Sequence, residues 1–244
     1  MELIDAHCHL QMNSFDTDRR EVIRRALAAG VVDIVVSGYD SVSNFKALGL
    51  KSENIHITLG LSPNMKRNES VEFIRSQIVE NADRIVAIGE IGFDRLKSKL
   101  PFGKQKEIFR EFLELAEELR KPVVIHAREA EIDAIEVVRR FSVNCMLHCF
   151  NGSLKALRIA QDLGFMISIS TMVSFSEKHR YVAEKAEVEN LMIETDSPFL
   201  SPRRGRNEPA YLVYALDELS RLKEIEKEEL AIRLVKNTRK FYGI

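Results

Sequence analysis

Cysteine is scarce in this sequence, and its scarcity excludes two kinds of protein. The three residues, Cys8, Cys145 and Cys149, are odd in number and show no C-x-x-C spacing, so neither a disulfide framework nor a thiolate zinc site is expected. No apolar run approaches the roughly 20 residues of a membrane-spanning helix, and the first residues lack the basic-then-apolar pattern of a secretory signal. The chain is therefore expected to be cytoplasmic, with no membrane partner. A dominant charge is missing too. The 36 Lys and Arg meet 37 Asp and Glu for a net charge of −1, which announces no general affinity for nucleic acid, although a local basic patch can still contact phosphates. Neither G-x-G-x-x-G behind a strand nor G-x-x-x-x-G-K-[ST] occurs, which argues against the common nucleotide-binding folds. No low-complexity linker or repeat divides the chain. With 244 residues, 45% of them hydrophobic, one domain over residues 1–244 is expected.

What recurs is architecture. Short apolar, β-branched runs appear as LIDAH, VDIVVSG, IHITLG, IVAIGE, PVVIHA, CMLHCF, FMISIS and LMIETD, eight candidate strands in all. Between them lie segments with helical spacing. Residues 104–121 carry apolar groups at Ile108, Phe109, Phe112, Leu115, Ala116 and Leu119, the stripe of a helix that covers a sheet. Ser153 can cap a helix that stops at Gly164, and Gly30 closes another. Two helical patterns, around 210–222 and 227–241, follow the eighth strand. Strands that are apolar nearly throughout and alternate with helices predict parallel pairing under a helical cover. Eight of them in a chain of this length favour an α/β fold of the (β/α)8 TIM-barrel type, a single domain with C-terminal helices.

In such a barrel the chemistry collects at the C-terminal strand ends. The first run ends in His7 and His9, the fourth in Glu90, the fifth in His126, the sixth in His148 and the eighth in Asp196. Strand alternation turns Asp5, His7 and His9 one way and Ala6 and Cys8 the other. The two remaining histidines, His56 at the opposite mouth and His179 in a charged helical stretch, read as structural or exposed. Four imidazoles and two carboxylates on one rim resist burial without partners, which points to metal. Imidazole with carboxylate and no thiolate suits zinc, manganese, iron, nickel or cobalt, whereas magnesium prefers mostly oxygen. Six candidate ligands exceed what one catalytic zinc takes, so two ions are expected, with Glu90 as the bridge. Two such ions about 4 Å apart activate water for hydrolysis, and Asp196 can ligate one and take the proton of the attacking water. Cys8 and Cys149 are expected to pack outwards, and Glu194 to stand behind a ligand histidine. Asp5, one layer deeper, is expected to orient a ligand or close a barrel salt bridge. The segment SPRRGRNEP after the eighth strand brings three arginines to where barrels often hold phosphate.

Taken in order, D-A-H-C-H, I-G-E-I-G-F-D, V-V-I-H-A-R, H-C-F-N-G, E-T-D-S-P and R-G-R-N-E-P resemble the TatD family of metal-dependent hydrolases, within the amidohydrolase-like barrels. The resemblance implies a (β/α)8 barrel with two divalent ions, zinc, magnesium or manganese. It implies that His7, His9, Glu90 and Asp196 surround one ion and Glu90, His126 and His148 the other, with Asp196 as general base. Several relatives are deoxyribonucleases, often 3′ to 5′ exonucleases, so DNA or another phosphodiester is the implied substrate. Arg204 and Asn207, with Glu208, match the family's last motif and are expected at the substrate. One departure stands out: where the family reads G-x-H-P this chain reads G-L-S-P, which puts Ser62 in the place of a histidine implied to help with substrate or metal. Two other readings follow from the same residues. One is a metal-dependent deacylase or amidohydrolase, for example one that removes a D-amino acid from tRNA; the other is a non-catalytic binding protein stabilised by its metal.

Overall fold

A computed structural model describes residues 1–64 and 69–244, and all eight expected strands are present in it. They are β1 (Leu3–Cys8), β2 (Val31–Ser37), β3 (Ile55–Leu59), β4 (Ala87–Asp94), β5 (Val123–Arg128), β6 (Cys145–Leu147), β7 (Met166–Ser170) and β8 (Leu191–Glu194). Each is hydrogen-bonded in parallel to the next in chain order. The helices α1 (Arg19–Ala28), α2 (Ser41–Leu48), α3 (Val71–Glu80), α4 (Phe102–Leu119), α5 (Glu131–Val138), α6 (Leu154–Asp162) and α7 (Glu177–Lys185) fill the connections, and α8 (Leu212–Lys223) and α9 (Lys227–Tyr242) follow the last strand. This is the expected (β/α)8 barrel. No helix among the described residues is long and apolar enough to cross a membrane.

Local signals set the element ends. Ser153 Oγ accepts from Ala156 N–H at 3.2 Å to start α6, and Gly164, at φ +74°, ends its turn where a side chain would be strained. The seam between β8 and β1 closes with backbone bonds above and a side chain below. Asp196 N–H donates to His7 O at 3.0 Å and His9 N–H to Ser197 O at 2.7 Å. Beneath them the Asp5 carboxylate accepts from Thr195 N–H at 2.8 Å and Thr195 Oγ–H at 2.6 Å. Asp5 thus seals the barrel by hydrogen bonds and also accepts from His7 N–H at 3.4 Å; of its two expected roles it takes one beside a candidate ligand, and no ion pair to it is found among the described residues, which corrects the expected salt bridge.

The core has two layers. Outside the sheet, residues such as Phe93, Phe109, Phe112 and Ile125 pack against the helices, and Cys8 joins them as expected. Inside, Ala6, Val35, Ala87, Val124, Met146 and Met192 form a separate cluster with Phe241 and Tyr242. The end of α9 therefore plugs the barrel floor, where Tyr242 Oη donates to Ala6 O at 2.8 Å. Ala6 facing inwards breaks the strict alternation expected of β1. The register against β2 slips between Asp5 and Cys8, so Ala6 lines the interior while His7, its neighbour, still reaches the upper mouth.

Candidate metal centre at the C-terminal mouth

Five strands deliver the six side chains singled out in the sequence. β1 supplies His7 and the adjoining His9, β4 supplies Glu90, and β5 supplies His126. His148 directly follows β6, and Asp196 lies two residues beyond β8. All but the half-buried Asp196 are buried. Close packing of β4 on β5 needs glycine two residues after Glu90: a Cβ at Gly92, whose φ is +135°, would stand 2.1 Å from His126 O. Asp196 adopts φ +54°, a left-handed conformation that Asp tolerates better than most residues. Its N–H on His7 O and its carbonyl, which accepts from Phe199 N–H at 3.0 Å, hold it there.

The ring nitrogens converge in two pairs. His7 Nε2 and His9 Nε2 are 3.3 Å apart, and His126 Nδ1 and His148 Nε2 are 3.1 Å apart. Glu90 stands between the pairs. Its Oε2 lies 3.9 Å from His7 Nε2 and 3.8 Å from His9 Nε2, while its Oε1 lies 3.1 Å from His126 Nδ1 and 3.9 Å from His148 Nε2. Asp196 Oδ1 adds to the first pair only, 3.4 Å from His9 Nε2 and 3.8 Å from His7 Nε2.

Every imidazole is anchored through its other nitrogen. His9 Nδ1 meets Ser37 O at 2.8 Å, an acceptor only, so this nitrogen carries a proton and, in the neutral ring, Nε2 offers a lone pair. His126 Nε2 meets Asp94 Oδ2 at 3.0 Å, His148 Nδ1 meets Glu194 Oε1 at 3.4 Å, and His7 Nδ1 meets Ser37 Oγ at 3.0 Å. Two neutral imidazoles so anchored would face each other with lone pairs at hydrogen-bond distance, a repulsive arrangement unless a proton or a cation lies between. Nitrogens about 2.1 Å from one ion fall at this mutual spacing. The donor set is therefore suited to metal, and three overlapping groups, His7, His9, Asp196; Glu90, His126, His148; and His7, His148, Glu194, each bring their donor atoms within 4.8 Å of one another.

The field at the centre calls for positive charge. Burial opposes a charge on His9, yet Asp196 and Glu90 outweigh it and push His9 up to about 9. Burial likewise opposes charge on Glu90, and His126 and His148 overcome it to hold the carboxyl well below its ordinary range. Asp94 is held low despite burial by hydrogen bonds from His126, Asn64 and two backbone N–H groups.

The family described as TatD related DNase matches residues 4–243. The chain belongs to the TatD family. An uncharacterized metal-dependent hydrolase of Methanocaldococcus jannaschii is 40% identical to it, over 99% of this chain and 97% of that protein. Another from Bacillus subtilis is 35% identical over 99% of each. The crystal structure of a TatD homolog from Escherichia coli matches with a TM-score of 0.93 at 26% identity, covering 99% of this chain and 98% of that one. The chain is thus a metal-dependent hydrolase, built on the barrel that the family shares.

Beyond the ligands, the TatD motifs divide in the structure. Ser62 is buried and its Oγ donates to Glu90 Oε1 at 3.1 Å, so it reaches the carboxylate between the two nitrogen pairs. Arg204 stays exposed on the loop after β8. Its neighbour Arg206 is spent on Asp18, at 2.7 and 2.9 Å. Asn207, expected at the substrate, is fully buried. Its Nδ2 donates to Thr195 O at 2.9 Å, Thr171 Oγ at 2.9 Å and Phe199 O at 2.6 Å, and its Oδ1 accepts from Glu208 N–H. With every polar atom engaged it has none left for substrate, and it acts by fixing the loop that carries Asp196. Glu208 is similarly tied to Arg25, at 2.8 and 2.6 Å. Cys149 departs from the outward packing expected of it: it is half-buried, at φ +47°, with Sγ 3.4 Å from Ser170 Oγ. His56 pairs with Asp33 at 2.9 Å near the opposite mouth, as expected. Asp94 and Ser37, which orient three of the four imidazoles, were not singled out in the sequence. Asp94 is the last residue of I-G-E-I-G-F-D and Ser37 ends the second strand, so their positions at strand ends were the available signal.

Proposed function

We propose that this TatD-family hydrolase is a phosphodiesterase acting on DNA, with removal of nucleotides from a 3′ end as its expected direction. The observation that carries the reading is Glu90, whose two carboxylate oxygens face separate nitrogen pairs, the arrangement of a carboxylate shared between two ions. His7, His9 and Asp196 would hold one ion with Glu90, and His126 and His148 the other. Zinc and manganese suit so much imidazole better than magnesium. When bound, two ions lower the pKa of a water towards neutrality and neutralise charge on the substrate oxygens. The two carboxylates that would face the ions directly, Glu90 and Asp196, do not by themselves neutralise two divalent cations, which leaves room for an anionic substrate oxygen at the ions.

The chain's own groups supply the rest. Asp196, half-buried at the centre, would take the proton of the attacking water, a role that requires hydrogen-bond reach of the reacting group. Ser62 fixes Glu90 through Oε1. Arg204, exposed on the loop after β8, would meet substrate phosphate, for which its planar guanidinium suits bidentate contact. The family's description as TatD related DNase favours DNA as the phosphodiester.

The test is a metal-reconstituted protein offered 5′-labelled single- and double-stranded DNA. Nucleotide release is expected, and Asp196→Asn or Glu90→Gln should lower it by about 100-fold or more. A folded, metal-loaded protein inert on both DNA forms would refute the reading. Release of amino acid from D-aminoacyl-tRNA without nucleotide release would replace it with the acyl-transfer alternative. Metal that alters thermal stability but supports no hydrolysis would replace it with a binding role.

A further inference from the structure

The loop after β3, where Ser62 replaces the family's histidine, lies against one half of the centre. β3 runs close beside Glu90 because residue 60 is glycine: a Cβ there would stand 2.5 Å from Glu90 O and 2.6 Å from Glu90 N. The turn that follows, Ser62, Pro63 and Asn64, is held from both sides. Ser62 N–H donates to Tyr39 O at 2.9 Å, and Ser98 Oγ–H donates to Pro63 O at 2.6 Å. Its two polar side chains serve the same pair of imidazoles. Ser62 Oγ donates to Glu90 Oε1, the oxygen that faces His126 and His148. Asn64 Nδ2 donates to Asp94 Oδ2 at 3.0 Å, the oxygen that also meets His126 Nε2.

Asp94 is fully buried, and both of its oxygens are saturated. Oδ1 accepts from Leu96 N–H at 2.8 Å and Lys97 N–H at 2.7 Å, while Oδ2 accepts from His126 and Asn64. Four donors use the acceptor capacity of a carboxylate in full. The kind of donor matters as well. Arg128 Nη1 stands 3.6 Å from the same Oδ2, and a guanidinium bonded there would draw the carboxylate's charge away from His126. A neutral amide N–H fixes Asp94 and leaves that charge to the imidazole, which makes the ring a stronger ligand.

On the two-ion reading above, we infer that Ser62 and Asn64 are positioning residues for one ion only, the one that Glu90, His126 and His148 would hold. Ser62 orients the Glu90 oxygen that faces this ion, and Asn64 acts at one remove, through Asp94 on His126. The loop after β3 thus tunes one site and not its neighbour, without touching the reacting atoms. Because Glu90 is shared, the distinction between the ions is sharpest at Asn64. Asn64 is exposed, so its side chain can be changed without disturbing the core.

Titration of the metal-free protein with zinc against a competing chelator, resolved into two stepwise affinities, tests this. Asn64→Ala should lower one affinity by about tenfold, the same one that Asp94→Asn lowers, and leave the other unchanged. In an Asp94→Asn background, where the acceptor is already weakened, Asn64→Ala should have little further effect, because the two residues act in series. Equal losses at both sites, no loss at either, or an undiminished tenfold loss in the Asp94→Asn background would each overturn the inference. If Asp94→Asn does not fold, the result with Asn64→Ala alone decides. Two zinc ions bound with no effect of Asn64→Ala would leave the two-ion reading standing and the inference refuted. An unaltered protein that binds a single zinc ion would remove that reading, and the inference with it.

Discussion

At the scale of single residues, the centre is built in two shells that the sequence discloses unequally. His7, His9, Glu90, His126, His148 and Asp196 could be read directly, because ionisable groups at the ends of apolar strands have few explanations other than a shared site. Asp94 could not, because it stands four positions beyond Glu90 and the chain alone does not say that a histidine of β5 lies beside it. Its carboxylate meets His126 Nε2 at 3.0 Å and fixes which nitrogen of His126 faces the centre. Asp94→Asn keeps the shape and weakens the acceptor, so metal affinity should fall by about tenfold or more, read by titration against a competing chelator, with the circular dichroism unchanged. Ser62 shows the same limit from the other side. Its sequence position marked it as a departure from the family, whereas only the fold revealed its hydroxyl on Glu90 Oε1.

At the scale of elements, the strands and long helices were legible because their hydrophobic periods agree with their end signals. The expected helix over 104–121 is α4, Phe102–Leu119. What periodicity could not convey was irregular backbone: the slip in β1 that turns Ala6 inwards, and the loop after β8 that consumes Asn207 internally. Asn207→Ala should remove bonds to two carbonyls, the buried Thr195 O and the part-buried Phe199 O, and cost about 2 kcal/mol, measured by urea unfolding. Catalysis should fall as well, since Thr195 O, one of those carbonyls, directly precedes Asp196. The α7 residue His179 carries a pH dependence. It is buried, and its Nε2 accepts from Ser170 N–H at 3.1 Å; burial pushes its imidazole down to about 4, from an ordinary value of 6.5. Between these values the unfolded chain binds more protons than the folded one. Its contribution is therefore intact above about pH 6.5 and declines as pH falls towards 4, by up to about 3 kcal/mol. In a series of urea midpoints over that range, His179→Gln should flatten the acid limb; an unchanged slope would contradict the assignment.

At the scale of the molecule, closure and chemistry share one seam. β1 and β8 are joined by Asp5 on Thr195 and by backbone bonds that begin at His7, His9 and Asp196, the residues proposed to hold the first ion. The lower barrel is filled by Ala6, Val35, Met146 and Tyr242, which leaves the upper mouth as the polar cavity. A fold of this kind follows from alternating apolar strands and helices, but the seam chemistry depends on pairs such as Asp5 and Thr195 that lie 190 residues apart. The central claim is that two ions, joined by Glu90, make this protein a phosphodiesterase. Its most direct test is the rate of nucleotide release from a 5′-labelled single-stranded oligonucleotide as metal-free protein is titrated with zinc or manganese. The account predicts a rate that rises to a break at two equivalents per chain. A break at one equivalent, or full metal loading with no nucleotide released, would contradict it.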